Sequence, residues 1–226
     1  MKTSILTILV VLIAATANAE TRSQNSGAFD GAFVGAQFGA QSGEASETNV
    51  QTTLQPGPSF DQPDAAGRSG VFQLHSGYGR DVGPMLNLSA GAFFEFGGAR
   101  LDVTEATALE DHVAQSITKK RGLYIAPGIY SDPTTLVYGK VGMAQAAHRY
   151  TRADYGVALD KRISGRILGL GIKGMLDDHM FWTIEYTRVD YGLLQIGTSV
   201  PLSSFTVDVR SRAVTEDLSL GFGYQF

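Results

Sequence analysis

The sequence predicts an all-β chain, an eight-stranded antiparallel up-and-down β-barrel set in a membrane. Three observations lead there. The closing residues alternate strictly: Leu218, Leu220, Phe222, Tyr224 and Phe226 share one face, and Asp217, Ser219, Gly221, Gly223 and Gln225 share the other. A greasy face opposite a small, polar one suits a strand with lipid on one side and a polar lumen on the other, although a soluble sandwich strand shows the same alternation. The N-terminus favours the membrane. Met1-Lys2 supplies a charge, Ile5 to Ala14 an apolar run, and Ala17-Asn18-Ala19 a small-x-small cleavage site, so residues 1–19 read as a secretory signal peptide. No later segment approaches the about 20 apolar residues of a spanning helix, so a membrane protein with this sequence must cross with strands.

Removing 19 of 226 residues leaves 207, enough for one large barrel over residues 20–226, with residues 20–28 as a flexible periplasmic leader. The chain has no cysteine, which excludes a disulfide framework, a thiolate metal site and a thiol nucleophile. A net charge of −4 gives no general attraction to nucleic acid. An ordinary apolar fraction of 43% beside 27 glycines fits a barrel in which only alternate residues meet lipid.

In chain order, Ala32 to Ala40 alternates Ala32, Val34, Ala36 and Phe38 against Phe33, Gly35, Gln37 and Gly39, and forms the first strand. Ser42 to about Arg68 is rich in Ser, Thr, Gln and Pro and reads as a long loop. Val71 to Arg80 is the second strand, stopped by the turn Asp81-Val-Gly-Pro84. Leu86 to Phe96 is the third, and a second polar loop is expected over Asp102 to Lys120. Gly122 to Tyr130 is the fourth strand; both of its alternating sets are apolar, so its facing stays open. After Ser131-Asp-Pro-Thr134 comes the fifth, Leu136 to Ala146, with Val137, Val141 and Met143 outward and Tyr138, Lys140 and Gly142 inward. A third loop over about Arg149 to Lys161 precedes the sixth strand, Ile167 to Leu176, with Leu168, Leu170 and Ile172 outward. The turn Asp177-Asp-His179 leads into the seventh, where Trp182, Ile184 and Tyr186 oppose Thr183, Glu185 and Thr187, and a fourth loop over about Gly192 to Arg212 leads to the eighth. Three short turns and four long loops thus alternate, which places short periplasmic turns at one end and long extracellular loops at the other.

Gly31-Ala-Phe-Val-Gly-Ala-Gln-Phe-Gly39, the Gly169-Leu-Gly171 strand, Glu185-Tyr186 with Asp190-Tyr-Gly192, and the aromatic closing strand resemble the outer-membrane β-barrel domain family, the OmpA-like or "porin family" small barrels. The resemblance covers essentially the whole mature chain. It implies residence in the outer membrane of a Gram-negative-type cell, contact with outer-membrane lipid and lipopolysaccharide, and delivery by the barrel-assembly machinery. That machinery would read the terminal strand through Leu218, Leu220, Phe222, Tyr224 and Phe226. Arg188 departs from the family, whose members often carry a second tyrosine there.

Four charged residues are expected to point inward: Glu95, Lys140, Lys173 and Glu185. Lys173 and Glu185 flank the Asp177-Asp-His179 turn, within cross-strand reach. Eight strands enclose a bore just wide enough for side chains, so two acids and two bases there suggest a mutually compensating network, either a packed core or a polar gate. Gly169-Leu-Gly-Ile-Lys-Gly174 fits G-x-G-x-x-G, but the chain continues as a strand where nucleotide binding needs a helix. Basic residues gather toward the loop end: Lys119, Lys120, Arg121, Arg149, Arg152, Arg162, Arg188, Arg210 and Arg212. Of these, Arg149 and Arg188 are candidates for lipopolysaccharide phosphate, which guanidinium groups bind bidentately. For catalysis the candidates are His75 with Ser76, His112 with Asp111, and His148, but His75 and Ser76 face opposite sides, and lone loop histidines are usually solvated. No catalytic set, metal site or cofactor is therefore expected. The expected role is structural and surface-interacting, with an unidentified extracellular ligand at the loops; the alternatives are a narrow solute channel and a lipid A-modifying enzyme.

Overall fold

The computed structural model describes residues 27–52, 65–103, 113–152, 157–199 and 206–226. The expected signal peptide, most of the expected leader, and Asp111 and His112 lie outside the described residues. Eight antiparallel strands close into one barrel: β1 (Gly31–Thr52), β2 (Ala65–Asp81), β3 (Leu86–Val103), β4 (Val113–Asp132), β5 (Thr135–Arg152), β6 (Val157–Met175), β7 (Met180–Ser199) and β8 (Thr206–Gln225). Each strand pairs with its sequence neighbours, and β8 closes against β1 through Ala36 with Phe222 and Phe38 with Leu220. Outward residues are apolar and exposed, as Leu123 (69%), Met143 (67%) and Leu170 (67%) show.

The strands are longer than the apolar alternation marks. They run from 17 residues in β2 to 22 in β1. At about 3.3 Å per residue and about 45° of tilt they rise roughly 40–50 Å, well past an apolar band about 25 Å tall. The segments expected as long loops are therefore largely strand: Ser42–Thr52 continues β1, Val113–Lys120 belongs to β4, and β7 and β8 extend to Ser199 and back to Thr206. Beyond the lipid neither face needs large apolar residues, so composition there resembles loop while the hydrogen-bonded ladder continues. The β6–β7 ladder ends at Arg166 with Asp190, although β6 remains paired to β5 as far as Val157 and β7 to β8 as far as Ser199.

The facing of β4 is settled by burial. Leu123, Ile125 and Ile129 point outward, and Tyr124 and Ala126 point in. Two bulges interrupt the wall near its middle, one on β3 at Gly97–Gly98 and one on β4 at Lys119, the only non-glycine with positive φ (55°) among the described residues. On β3 the odd-numbered Glu95, Ala99 and Leu101 stay inward on both sides of the bulge, but on β4 the extra residue changes the inward set from odd-numbered Gln115 and Ile117 to even-numbered residues across Lys119. The residue after it, Lys120, accordingly points into the lumen.

Lumen-facing glycines sit beneath rings from neighbouring strands. A Cβ on Gly171 would lie 2.4 Å from Tyr138 Cζ, and one on Gly223 2.2 Å from Phe181 Cζ. These glycines make room for the aromatic filling of a narrow bore. At the turn end, Phe29, Phe33, Leu136 and Phe181 form a buried cluster. Gly27 and Ala28, at the end of the expected leader, belong to a turn that brings Phe29 into this cluster, with the Gly27 N–H donating to Asp81 Oδ2 at 2.7 Å and the Phe29 N–H to Tyr130 Oη at 3.2 Å. The turns are capped by side chains: Asp177 Oδ1 accepts from the backbone N–H groups of Met180 (2.7 Å) and His179 (2.8 Å).

Gly171→Ala is expected to force Tyr138 off its hydrogen bonds and to destabilise the barrel by about 1–3 kcal/mol, the usual cost of overpacking, read as an earlier urea midpoint for the detergent-refolded protein. The hydrogen bonds from Met180 and His179 hold the Asp177 carboxyl below the usual carboxylate range. A carboxyl with a depressed folded value contributes stability above its unfolded value and loses it as pH falls through the folded value. NMR titration should place the Asp177 midpoint below that of an unstructured aspartate, and Asp177→Asn should remove the associated acid-side decline; a midpoint at the ordinary value would refute the cap.

Candidate functional site

The lumen is the chemically distinctive part of the molecule. Among the described residues its buried charges are three carboxylates, Glu95, Glu185 and Asp217, and three ammonium groups, Lys120, Lys140 and Lys173. They form two clusters. In the loop-side cluster Lys120, 2% exposed, donates to Glu95 Oε2 at 2.8 Å and to Asp217 Oδ2. Gln41 completes it, its Nε2 donating to Glu95 Oε1 at 3.0 Å and to Asp217 Oδ1 at 2.6 Å. Side chains from β1, β3, β4 and β8 are thereby tied together across the bore.

In the turn-side cluster Lys140 Nζ donates to Glu185 Oε1 at 2.7 Å, and Glu185 also accepts from Tyr138 Oη at 2.9 Å and Thr187 Oγ1 at 3.0 Å. Lys140 lies over the Tyr124 ring, 4.4 Å from its centroid. Lys173 stands over the rings of Phe33 (4.2 Å), Phe181 (4.6 Å) and Phe29 (5.3 Å), whose negative faces stabilise a cation. Between Lys140, Lys173, Glu185 and His75 lies a cavity of about 20 Å³, room for little more than a water.

All four charges expected inside are there, but they do not make one network. Glu95 pairs with Lys120, Glu185 with Lys140, and Lys173 faces rings, making no ion pair among the described residues although Glu185 lines the same cavity. Its ladder partner is Thr183, and Glu185 is opposite Gly171. Lys120, placed at the rim in the sequence reading, is a correction: the Lys119 bulge turns it inward. Asp217, recognised as inward but not as part of a charge cluster, is its second partner. Alternation puts Lys120 on the same face as Gly122 and Tyr124, but with both sets of that strand apolar it does not say which face is inward.

Arg149 and Arg188 are exposed, and each is already in an ion pair, Arg149 with Asp160 at 3.0 Å and Arg188 with Glu216 at 2.8 Å. Arg212 is paired with Asp190. The side chains of Arg152 and Arg210 lie outside those described. His75 is inward and Ser76 stands on the other face. His148, expected as a solvated histidine near a loop, is buried on β5, with Nε2 3.1 Å from Gln115 Oε1, because β5 continues past the point where its apolar alternation fades. In the closing strand Leu218, Leu220, Phe222 and Tyr224 are exposed outward; the Phe226 N–H donates to Ala32 O at 2.8 Å, and its ring packs edge-on against Tyr224 at 5.0 Å.

A closed antiparallel barrel with a greasy outer belt and an ion-paired, ring-filled bore defines a membrane β-barrel. The chain belongs to the outer membrane protein beta-barrel domain family, whose model matches residues 6–226, and it resides in the outer membrane. In that architecture the short turns face the periplasm and the loop ends face outward. Solved structures of similar fold include OprG from Pseudomonas aeruginosa, at 14% identity over 88% of this chain and 98% of that one with a TM-score of 0.56. The outer membrane protease OmpT from Escherichia coli matches at 10% identity over 92% and 99%, with a TM-score of 0.52. Ail from Yersinia pestis, solved with the heparin analogue sucrose octasulfate, matches at 15% identity over 84% and 99%, with a TM-score of 0.37. No curated protein matches the sequence.

Lys120→Met is expected to leave Glu95 and Asp217 buried without a cation, costing about 3–5 kcal/mol. The triple change Lys120→Met, Glu95→Gln, Asp217→Asn should recover most of that loss in urea titrations. Equal stability of the single variant and the wild type would show that the cluster does not hold the wall together.

Proposed function

We propose that the protein is a sealed outer-membrane barrel that acts through its surface, maintaining the envelope and presenting its outer strand ends and loops to an extracellular ligand. The observation that carries this reading is the cross-lumen bracing: Lys120 with Glu95 and Asp217 above, and Lys140 with Glu185 below, over a cavity of about 20 Å³. A path for hydrated solutes would need both ion-paired layers to come apart, and removing one partner of a buried pair is strongly unfavourable. Against a catalytic role stand the opposite facing of His75 and Ser76 and the engagement of His148 by Gln115. The protease OmpT shares the fold at 10% identity, a level at which fold does not carry activity. The partners in this reading are outer-membrane lipid and lipopolysaccharide around the wall, the barrel-assembly machinery at the closing strand during biogenesis, and a loop ligand outside.

Planar-bilayer recordings of the purified barrel should show little or no conductance at neutral pH. Large, stable channels would sink the sealed-barrel reading in favour of a solute pore.

A further inference from the structure

The outer wall changes character at the loop-side edge of its apolar belt. On β1 to β3 the edge is aromatic: Phe38 packs with Phe72 (4.8 Å between centroids), Phe72 with Phe96 (5.8 Å) and Phe96 with Phe94 (4.7 Å). Phe94 is the ladder partner of Arg121, and from there the edge is cationic. Arg121 is paired across the ladder with Gln145, and Gln145 with Ser164. Arg162 and Arg166 sit one outward position to either side of Ser164 on β6, and Lys119 is exposed at the β4 bulge. Next toward the turn end on the same three strands, Leu123, Met143 and Leu168 are exposed, Met143 as the ladder partner of Arg166.

The carboxylates of this region are engaged elsewhere: Asp160 with Arg149, Asp190 with Arg212 and Glu216 with Arg188. Among the described residues none makes an ion pair with Lys119, Arg121, Arg162 or Arg166, and Arg121 has only a 3.5 Å contact to Gln145 Oε1. Four cations therefore surround two neutral hydrogen-bonding side chains, with one carboxylate, Asp190, held by Arg212 at the ladder position opposite Arg166. β4 and β6 are two strand spacings apart, about 10 Å, and Arg162 and Arg166 are four residues apart on one strand, about 13 Å. Long guanidinium side chains reach across such distances to anionic groups placed between them.

We propose that this sector, Arg121, Arg162 and Arg166 with Lys119, Gln145 and Ser164, binds the phosphate groups of lipopolysaccharide in the outer leaflet. The inference rests on the reading of a lipid-embedded barrel with lipopolysaccharide as a partner, and assigns that partner to one sector of the wall. It also moves the contact away from Arg149 and Arg188, whose charges are neutralised by paired carboxylates. A lipid is favoured over a free anion because the cations lie immediately above a greasy surface: acyl chains would lie on Leu123, Met143 and Leu168 while the headgroup phosphates accept bidentate hydrogen bonds above. The aromatic sector on β1 to β3 marks the same boundary, since aromatic side chains gather at membrane interfaces.

The test is a binding titration with the full-length protein in detergent micelles, using bisphosphorylated lipid A, dephosphorylated lipid A and inorganic phosphate as probes. The variants are Arg121→Gln/Arg162→Gln/Arg166→Gln and, as a control, Arg149→Gln; all four side chains are exposed, and heat-modifiable migration on gels verifies folding. The triple variant should bind bisphosphorylated lipid A at least about tenfold more weakly, since each lost charge-assisted hydrogen bond is worth about that factor. Dephosphorylated lipid A should show a similar loss on the wild type, and Arg149→Gln should leave the affinity unchanged. Wild-type affinity in the triple variant, or equal binding of the dephosphorylated lipid, would overturn the site. Displacement of the lipid by an equal concentration of inorganic phosphate would overturn the lipid assignment. Large channels in bilayers would defeat the sealed-barrel reading without altering this titration, so the two fail separately.

Discussion

Charge balance inside a narrow bore is the constraint from which the rest of the structure follows. Among the described residues six ionic side chains occupy the lumen, three of each sign, in a barrel whose interior is filled by side chains. Their distribution is uneven: the loop-side cluster has two carboxylates to one ammonium, and the turn-side cluster two ammonium groups to one carboxylate. Each cluster is completed by neutral groups of the appropriate polarity. The excess carboxylate is met by the Gln41 amide, a donor, and the excess ammonium by the faces of three phenylalanines. Those rings need room, and glycines on the neighbouring strands supply it, Gly223 opposite Phe181 and Gly77 opposite Phe33. The abundance of glycine and the aromatic plug at the turn end are thus two sides of one packing solution.

Much of this was legible in the sequence, and the limits have physical causes. Where a strand has lipid on one side and lumen on the other, alternation is strong, and Leu168, Leu170, Ile184, Leu218 and Leu220 mark it plainly. Above the lipid the outward positions become polar, contrast between faces vanishes, and the continuing strands at Ser42–Thr52 and Val113–Lys120 resemble loops. The inward charges Glu95, Lys140, Lys173 and Glu185 could be placed by counting from the nearest greasy residue. Their partners could not, because pairing across a bore depends on register around the whole wall. Lys173 shows this best: a diagonal carboxylate two residues along the next strand looks like its partner, yet the side chain rises into a nest of rings contributed in part by Phe29, which precedes the first strand.

The outer surface obeys a second partition. Ion pairs such as Arg188 with Glu216 and Arg212 with Asp190 hold neighbouring strands β7 and β8 together where they rise beyond the apolar belt. Exposed pairs of this kind contribute little stability individually, about 0–1 kcal/mol. Their larger effect is to leave that side of the wall nearly neutral, while Lys119, Arg121, Arg162 and Arg166 on β4 and β6 make no ion pair among the described residues and aromatic surface gathers on β1 to β3. A barrel with such sectors is not rotationally equivalent in a membrane, and it presents a different edge to each neighbour.

The bulge at Lys119 divides β4 into two stretches that are out of phase by one residue. Below it even-numbered residues face the lumen; above it odd-numbered residues such as Gln115 and Ile117 do. For a lineage of related chains this makes residue 119 a phase marker in the sense of a reading frame. Loss of that one residue would exchange the inside and outside of everything on one side of it, whereas substituting its exposed side chain would leave the frame intact. The length of the chain at this position therefore matters more to the fold than the charge of its side chain.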